Sequence, residues 1–491
     1  MRATAKKKTG AVAAECADGV LWLNRHAWLS GVDFDVELLQ AEQEGRDLSS
    51  VRTQIRALQK APRPAGGWAA QLGGARDAAW LARYSRLCET IRTLPLRANY
   101  AYEEPDDLAG IRRARAPARV GVPAWRGSAA RLRRAVHGGL LGRICGCLLG
   151  KPVEGWYRTS IEITAKATGN WPLATYFRVP TKRMAERIEA LRPVQKFAGD
   201  RRQLLQNRCL LPRISGMVPD DDTNYTVLGA AMLMRHGAAF TPQDVASAWL
   251  ARLPLLATCT AERAAYRNLA AGIAPPESAV RLNPYREWIG AQIRADIYGY
   301  VNPGDSGRAA EWAWRDASIS HVKNGIYGPM WVAAMLAAAA VLDDWEAVIR
   351  AGLDQIPARC RLREDVETIL ALWEDGADYG IACEYIHAQW NERRSHDWCH
   401  TNSNAQVVAA ALLWGGDAFG QSVARAVMCG FDTDCNGATV GSLWGVMHGV
   451  DRIPAAWAGP IRNTLRTGVA GYAEVAVDRL ADDIARWAAA Q

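Results

Sequence analysis

No apolar run in this 491-residue chain approaches the roughly 20 residues that cross a bilayer. The longest, Met330 to Leu342, is too short and reads as a buried helix. No membrane partner is therefore expected. The start, MRATAKKKTG, is basic, but no apolar segment of leader type follows it. A cytoplasmic location is the expectation. CxxC pairs are also missing. Eleven scattered cysteines fit reduced, mostly buried thiols, not a zinc ribbon or a disulfide framework. Convincing strand alternation is almost absent, and there is no internal repeat of fixed period. The HExxH pattern fails too: His396 and His400 stand four apart, but Asp397 and Trp398 break it.

Core-forming material is present. Hydrophobic residues make up 49% and charged residues 22%, as in ordinary globular proteins. Short helical patterns at 51–58 and 78–87 are interrupted by Pro62, Pro64 and the Gly-Gly pairs at 66–67 and 73–74. We read 1–94 as a helical accessory region. Pro95, Pro105, Pro117 and Pro123 amid dense charge make 95–134 an extended linker that wraps the next domain. From 135 to 491, alanine-rich amphipathic stretches recur at 223–236, 242–252, 328–341, 404–414, 418–428 and 473–489. That pattern predicts a large all-α bundle. Residues 1–135 hold 23 Lys/Arg against 14 Asp/Glu, and the remainder 36 against 37, so the net charge of +8 is all N-terminal. This is either a surface for an acidic partner or, the reading we favour, an arginine-rich solvated helical face. Nucleic acid is not the expected partner.

Two acidic motifs stand out. Asp220, Asp221 and Asp222 precede an apolar helical run that begins near Tyr225. One reading is a helix cap, with Asp222 as N-cap. One aspartate suffices for a cap, however, and three adjacent carboxylates are costly to hold together without a cation. The second motif, Asp432-Thr433-Asp434-Cys435-Asn436-Gly437, copies the first half of an EF-hand loop. Its twelfth position is Leu443 instead of Glu, which excludes the EF-hand. What remains is a tight turn that points two carboxylates the same way, followed by a small-residue helix, Ala438 to Ser442, that permits close packing. Such oxygen ligands suit Mg²⁺, Mn²⁺ or Ca²⁺.

Gly138, Gly142, Gly146 and Gly150 recur every fourth residue and form a flat stripe on one helix face. Arg143 argues against a membrane dimer. Gly146 to Lys151 is one residue short of a phosphate loop, and Pro152 replaces its Ser/Thr. The stripe reads as a tightly packed helix. The turn after it, stiffened by Pro152, delivers Glu154 as a candidate general base or gate. A fourth segment, Ser318 to Gly328, sets His321, Asn324 and Tyr327 on a Gly-flanked loop: either a structural loop or a binding loop.

Taken in order, these segments resemble the ADP-ribosylglycohydrolase family. That family's pattern has a Gly-rich helix ending in G-x-P-x-E, an early T-D-D-T, a middle Ser/His loop, and a late G-x-D-x-D-T before a small-residue helix. The likeness covers roughly 135–455. It implies an all-α fold, a large orthogonal helical bundle with the N-terminal helical region added to it. It also implies two divalent ions in a central cleft, Mg²⁺ with Mn²⁺ as the alternative. Asp221 and Asp222 would be ligands from the first motif, with Asp220 at its Thr position. Asp432 and Asp434 would come from the second, with Cys435 at its Thr position. Cys147 stands where the pattern has Asp.

The resemblance further implies hydrolysis at ribose C1 of an ADP-ribosylated protein or ADP-ribose-like small molecule. Two ions about 3.5–4 Å apart would bind the ribose hydroxyls and orient water. Glu154 or Asp432 would activate that water or stabilise oxocarbenium charge. Gly150, Glu154, His321, Asn324, Gly325 and Tyr327 are the candidate substrate contacts. Two competing readings remain: a hydrolase of another N- or O-ribosyl small molecule on the same site, and a non-catalytic binding protein on this scaffold. Five retained carboxylates weigh against the latter.

Overall fold

Alanine-rich stretches with apolar residues every three to four positions become helices almost throughout. The computed structural model describes residues 29, 31–61, 75–190 and 207–491. The basic first ten residues, Pro62, Pro64 and the Gly-Gly pairs lie outside the described residues.

In chain order the helices are α1 (Phe34–Gln43), α2 (Arg52–Lys60), α3 (Ala75–Thr93), α4 (Leu108–Ala114), α5 (Ala129–Gly150), α6 (Arg158–Ala167) and α7 (Lys182–Glu189). Then come α8 (Asp221–His236), α9 (Pro242–Arg252), α10 (Thr260–Ala270), α11 (Asp296–Tyr300), α12 (Ser306–Ala317), α13 (Asn324–Ala339), α14 (Trp345–Leu353) and α15 (Arg361–Glu374). The last are α16 (Tyr379–Gln389), α17 (Ser395–Cys399), α18 (Thr401–Gly415), α19 (Phe419–Met428), α20 (Thr433–His448), α21 (Ala455–Ala458) and α22 (Val477–Ala489). The fold is all-α, as the periodicity predicts. The stretch expected to be helical from 473 differs at its start. Residues Glu474–Ala476 form a strand, β2, antiparallel to β1 (Thr464–Arg466), with Leu465 opposite Val475. Among the described residues, no helix is long and apolar enough to cross a membrane.

Helix starts follow local chemistry. Ser128 caps α5 by accepting from the Arg131 N–H at 3.2 Å. Thr241 and Asp244 cap α9 reciprocally. The main core is built on α13, every residue of which is buried, with α5, α18 and α20 packed in the same cluster. That full burial is why α13 is apolar all round, not amphipathic.

A second, smaller apolar cluster joins α1, α2 and α3. In it Trp80 stacks on Tyr84 at 5.4 Å, and Phe34 meets Tyr84 edge-on at 5.8 Å. Buried charge ties this cluster to the main body. Arg286 bonds Glu37 at 2.9 Å and Glu44 at 2.7 Å. Further along, Arg361 bridges Glu104 and Glu287, each at 2.8 Å.

Candidate metal centre at the α5–α20 seam

The site starts from glycines. A methyl carbon built on Gly138, Gly142 or Gly146 would lie 2.1, 2.0 or 1.8 Å from the carbonyl oxygen of Gly445, Gly441 or Gly437. No side chain fits at those distances, so α5 and α20 pack backbone against backbone, antiparallel, in a four-residue register. The register ends at Gly150, whose added methyl would lie 2.2 Å from the Thr433 carbonyl. Thr433 Oγ1 also donates to the Gly150 carbonyl at 3.0 Å. The seam therefore sets the C-terminal end of α5, with Lys151 and Glu154, beside the N-terminus of α20. Gly150, a candidate substrate contact in sequence, thus lies at the end of the seam, packed on Thr433.

At α20 the chain turns through Gly430 (φ 84) and Phe431 (φ 58), both left-handed, and places Asp432 just before the helix. The Asp432 N–H donates to Asn404 Oδ1 at 3.1 Å, and Asn436 Nδ2 reaches the same oxygen at 2.8 Å. Asn404, on α18, thus braces the whole turn. The Cys399 thiol lies 3.6 Å from Asp432 Oδ2.

At α8, Asp220 is the N-cap, in place of the expected Asp222: its carboxylate accepts from the Asp222 N–H at 2.9 Å. Asp222 falls inside the first turn and is fully buried. Arg143 reaches it from α5, bonding its Oδ1 at 3.1 Å, its carbonyl at 2.8 Å and Asp296 at 2.9 Å. The Cys435 thiol donates to Asp222 Oδ2 at 3.3 Å and so links the two acidic motifs.

Two sets of possible ligand atoms result, each within 4.8 Å: Cys147, Asp220, Asp222 and Asp434; and Asp432, Asp434 and Cys435. Asp434 belongs to both. Asp221 belongs to neither and is half-buried. Glu154 stands at the edge with its side chain 43% exposed, its Oε2 3.3 Å from Lys151 Nζ. Lys151 Nζ also contacts Asp220 Oδ2 and lies 3.5 Å from Asp434 Oδ2.

Electrostatics mark the cluster as short of positive charge. Burial, with the negative charge of Glu154, raises Asp432 to about 6. Burial and the adjacent Asp220 raise Asp221 to about 7. Burial lifts Asp222 well up despite Arg143, and Asp434 well up with help from Glu154. Asp220 alone is held down: burial opposes its charge, but the Lys151 ammonium outweighs it. Asp434 Oδ1 is buried without a hydrogen-bond partner. A carboxylate set held near neutrality, with an orphaned buried oxygen, fits a divalent cation of the hard class. The thiols fit it less well. Cys147 and Cys435 offer soft sulfur, a poor match for such an ion.

The middle loop sits elsewhere. Asn324 Nδ2 donates to Glu104 at 2.8 Å and Glu287 at 3.2 Å, and Tyr327 donates its hydroxyl proton to the Pro105 carbonyl at 2.6 Å. His321 Nδ1 pairs with Ser320 Oγ at 2.8 Å, and burial drives this imidazole well below its usual range. Gly325 is pressed against the backbone, a methyl there lying 2.5 Å from the Arg286 carbonyl. His321 and Lys323 line a cavity of about 550 Å³ with Glu44, Asp106 and Arg286. The path from Asn324 to the aspartates runs through Glu287, His400 (3.7 Å) and Cys399.

Sequence reasoning missed the roles of Lys151, Arg143 and Asn404, and left Cys147 out of the ligand set. A lone arginine within an apolar, glycine-striped helix was the available signal for Arg143, since such a charge must find partners when buried.

The sequence model of the family described as ADP-ribosylglycohydrolase matches residues 128–490. No curated protein matches the chain. Among solved structures, a chain described as "ADP-ribosylglycohydrolase-related protein complex" is 21% identical; the match covers 73% of this chain and 99% of that one, with a TM-score of 0.45.

Proposed function

The chain belongs to the ADP-ribosylglycohydrolase family, and from that premise we propose that it is a metal-dependent glycohydrolase acting at ribose C1 of an ADP-ribosylated protein or an ADP-riboside. One observation carries the reading. Two helix N-termini bring Asp432, Asp434, Asp220 and Asp222 together, with Asp434 common to both ligand sets and its Oδ1 unpartnered. Asp432 and Asp434 are the leading ligands, and magnesium or manganese suits their oxygens. Held there, a divalent ion would supply Lewis-acid charge to the reaction.

The chain's own residues do the rest. Glu154 is open to solvent at the edge of the cluster and takes the proton of the attacking water at a carboxylate oxygen. The water oxygen bonds to C1 as the C1–leaving-group bond breaks, its electron pair going to the leaving atom. The negative edge formed by Asp432 and Glu154 stabilises the oxocarbenium charge that builds at C1. The protein bonds of His321, Asn324, Gly325 and Tyr327 favour a supporting role for that loop, under the 104–106 segment.

The test is hydrolysis of ADP-ribosylated protein and of small ADP-ribosides, with Mg²⁺ and with EDTA. Activity that survives EDTA, or persists in an Asp432→Ala/Asp434→Ala variant, would sink the mechanism. A second reading, hydrolysis of another ribosyl small molecule, is favoured by Asp220 and Cys435 standing where the family has threonines. Product mass spectrometry across a riboside panel separates the two.

A further inference from the structure

The family resemblance implies two divalent ions, but one of the two positions here already has a cationic side chain in it. Lys151 Nζ contacts Asp220 Oδ2 and lies 3.5 Å from Asp434 Oδ2, so it sits among the oxygens of the first ligand set. The third carboxylate of that set, Asp222, is taken by Arg143 at 3.1 Å and by the Cys435 thiol at 3.3 Å. Its fourth member, Cys147, offers sulfur where the family pattern offers a carboxylate. A hard cation would meet there a soft donor, a carboxylate already paired with arginine, and an ammonium at contact distance.

The second set differs at Asp432, whose carboxylate has a thiol 3.6 Å from its Oδ2 and, among the described residues, no ion pair with a cationic side chain. Asp434, shared by both sets, is 2% exposed and its Oδ1 has no hydrogen-bond partner. That orphaned oxygen is free to take an ion.

We infer that the Lys151 ammonium serves as the resident cation of the first position, so that the centre takes one divalent ion, on Asp432 and Asp434. The inference rests on the cation-binding reading of these aspartates. The seam makes the placement reproducible. Gly146 against Gly437 and Gly150 against Thr433 fix the end of α5 beside α20, and Pro152 stiffens the turn that carries Lys151. An ammonium is a compact point charge with three donors, which matches a pocket of carboxylate oxygens from two helices.

The test is metal stoichiometry in the full chain, stripped with EDTA, reloaded with excess MnCl₂ and gel-filtered. Elemental analysis should find one Mn²⁺ per wild-type chain, with the low-temperature EPR spectrum of an isolated ion. Lys151→Met should hold two, with the spectrum of an exchange-coupled pair; Lys151→Gln serves as the second neutral variant should Met perturb folding. Lys151→Arg, which keeps the charge, should hold one. Two ions per wild-type chain overturn the inference while leaving the cation-binding reading intact. One ion in both wild type and the neutral variants overturns it as well, because Lys151 is then not what excludes the second. No Mn²⁺ in any form defeats the cation-binding reading, and this inference with it.

Discussion

Gly142 and Gly441 face each other with no side chain between them: a methyl built on the first would lie 2.0 Å from the carbonyl oxygen of the second, and the reverse distance is 2.1 Å. The obstacle is backbone on both sides, so neither helix can yield by a rotamer change. Gly142→Ala must push α5 and α20 apart, at a cost of about 3 kcal/mol, the upper end of ordinary overpacking. It should also draw Lys151 away from Asp434, because the same register sets the two side by side. Gly459→Ala is the control, since nothing lies within 4 Å of its added carbon and its φ of −58° is ordinary. Urea denaturation of the three proteins decides. Equal midpoints for Gly142→Ala and Gly459→Ala would refute the seam's tightness.

Arg143 is fully buried and serves four acceptors: Asp222 Oδ1, the Asp222 carbonyl, Asp296 Oδ2 and the Ile293 carbonyl. Replacing it by Met leaves Asp222 and Asp296 buried and unpaired. We expect a loss of about 3–5 kcal/mol, the range for breaking a buried ion pair from one side. Arg143→Lys should recover little of it, because one ammonium nitrogen with three donors cannot reach all four acceptors that the guanidinium fork serves. If lysine restores wild-type stability, charge alone matters and the planar fork does not.

Cation binding should appear in stability as well as activity. A ligand at 100 times its dissociation constant stabilises a fold by about 2.7 kcal/mol. Saturating Mn²⁺ or Mg²⁺ should therefore raise the melting temperature of EDTA-treated protein. Asp434→Asn should abolish that rise. In the metal-free state the order reverses: burial pushes Asp434 well up, so removing its charge should leave the variant at least as stable as wild type. A variant that is less stable than wild type in EDTA and still responds to Mn²⁺ would contradict both halves.

Much of this was legible in the sequence. The stretches at 242–252 and 418–428 match α9 and α19 to within a residue, because capping and alanine periodicity act locally. Both aspartate motifs, and the small-residue character of both seam helices, could be read directly. That the two glycine stripes meet each other could not. Their pairing joins residues about 300 positions apart, and no local period encodes it. The role of Lys151 follows from that pairing and was hidden for the same reason. The bonds of Asn324 and Tyr327 to Glu104 and Pro105 were hidden too, because those partners lie in a segment expected to be linker. The N-cap shifted from Asp222 to Asp220 because three like residues give the eye no means to choose among them, whereas Arg143 draws Asp222 inward.

Asp365, on α15, offers a pH test away from the metal ligands. It accepts from Asn402 Nδ2 at 2.7 Å and from Gln389, yet burial outweighs these bonds and raises it to about 6. The unfolded value is about 3.9. A carboxyl whose pKa is raised on folding binds its proton more tightly in the folded state. Its contribution is therefore fully favourable below about pH 3.9 and is lost as pH rises through 6. Holding the proton that much more tightly is worth about 3 kcal/mol across the whole window. Asp365→Asn removes the titration, while its altered hydrogen bonding, with Gln389 already engaged to Gln406 at 2.9 Å, costs the same at every pH. Groups common to both proteins cancel in the difference. Wild type should therefore gain stability relative to Asp365→Asn as pH falls from 7.5 to 4.5, with most of the gain below 6. Urea midpoints for the pair across that range measure it. A difference that stays flat would mean that Asp365 titrates at its unfolded value, and that its two amide partners fully offset its burial.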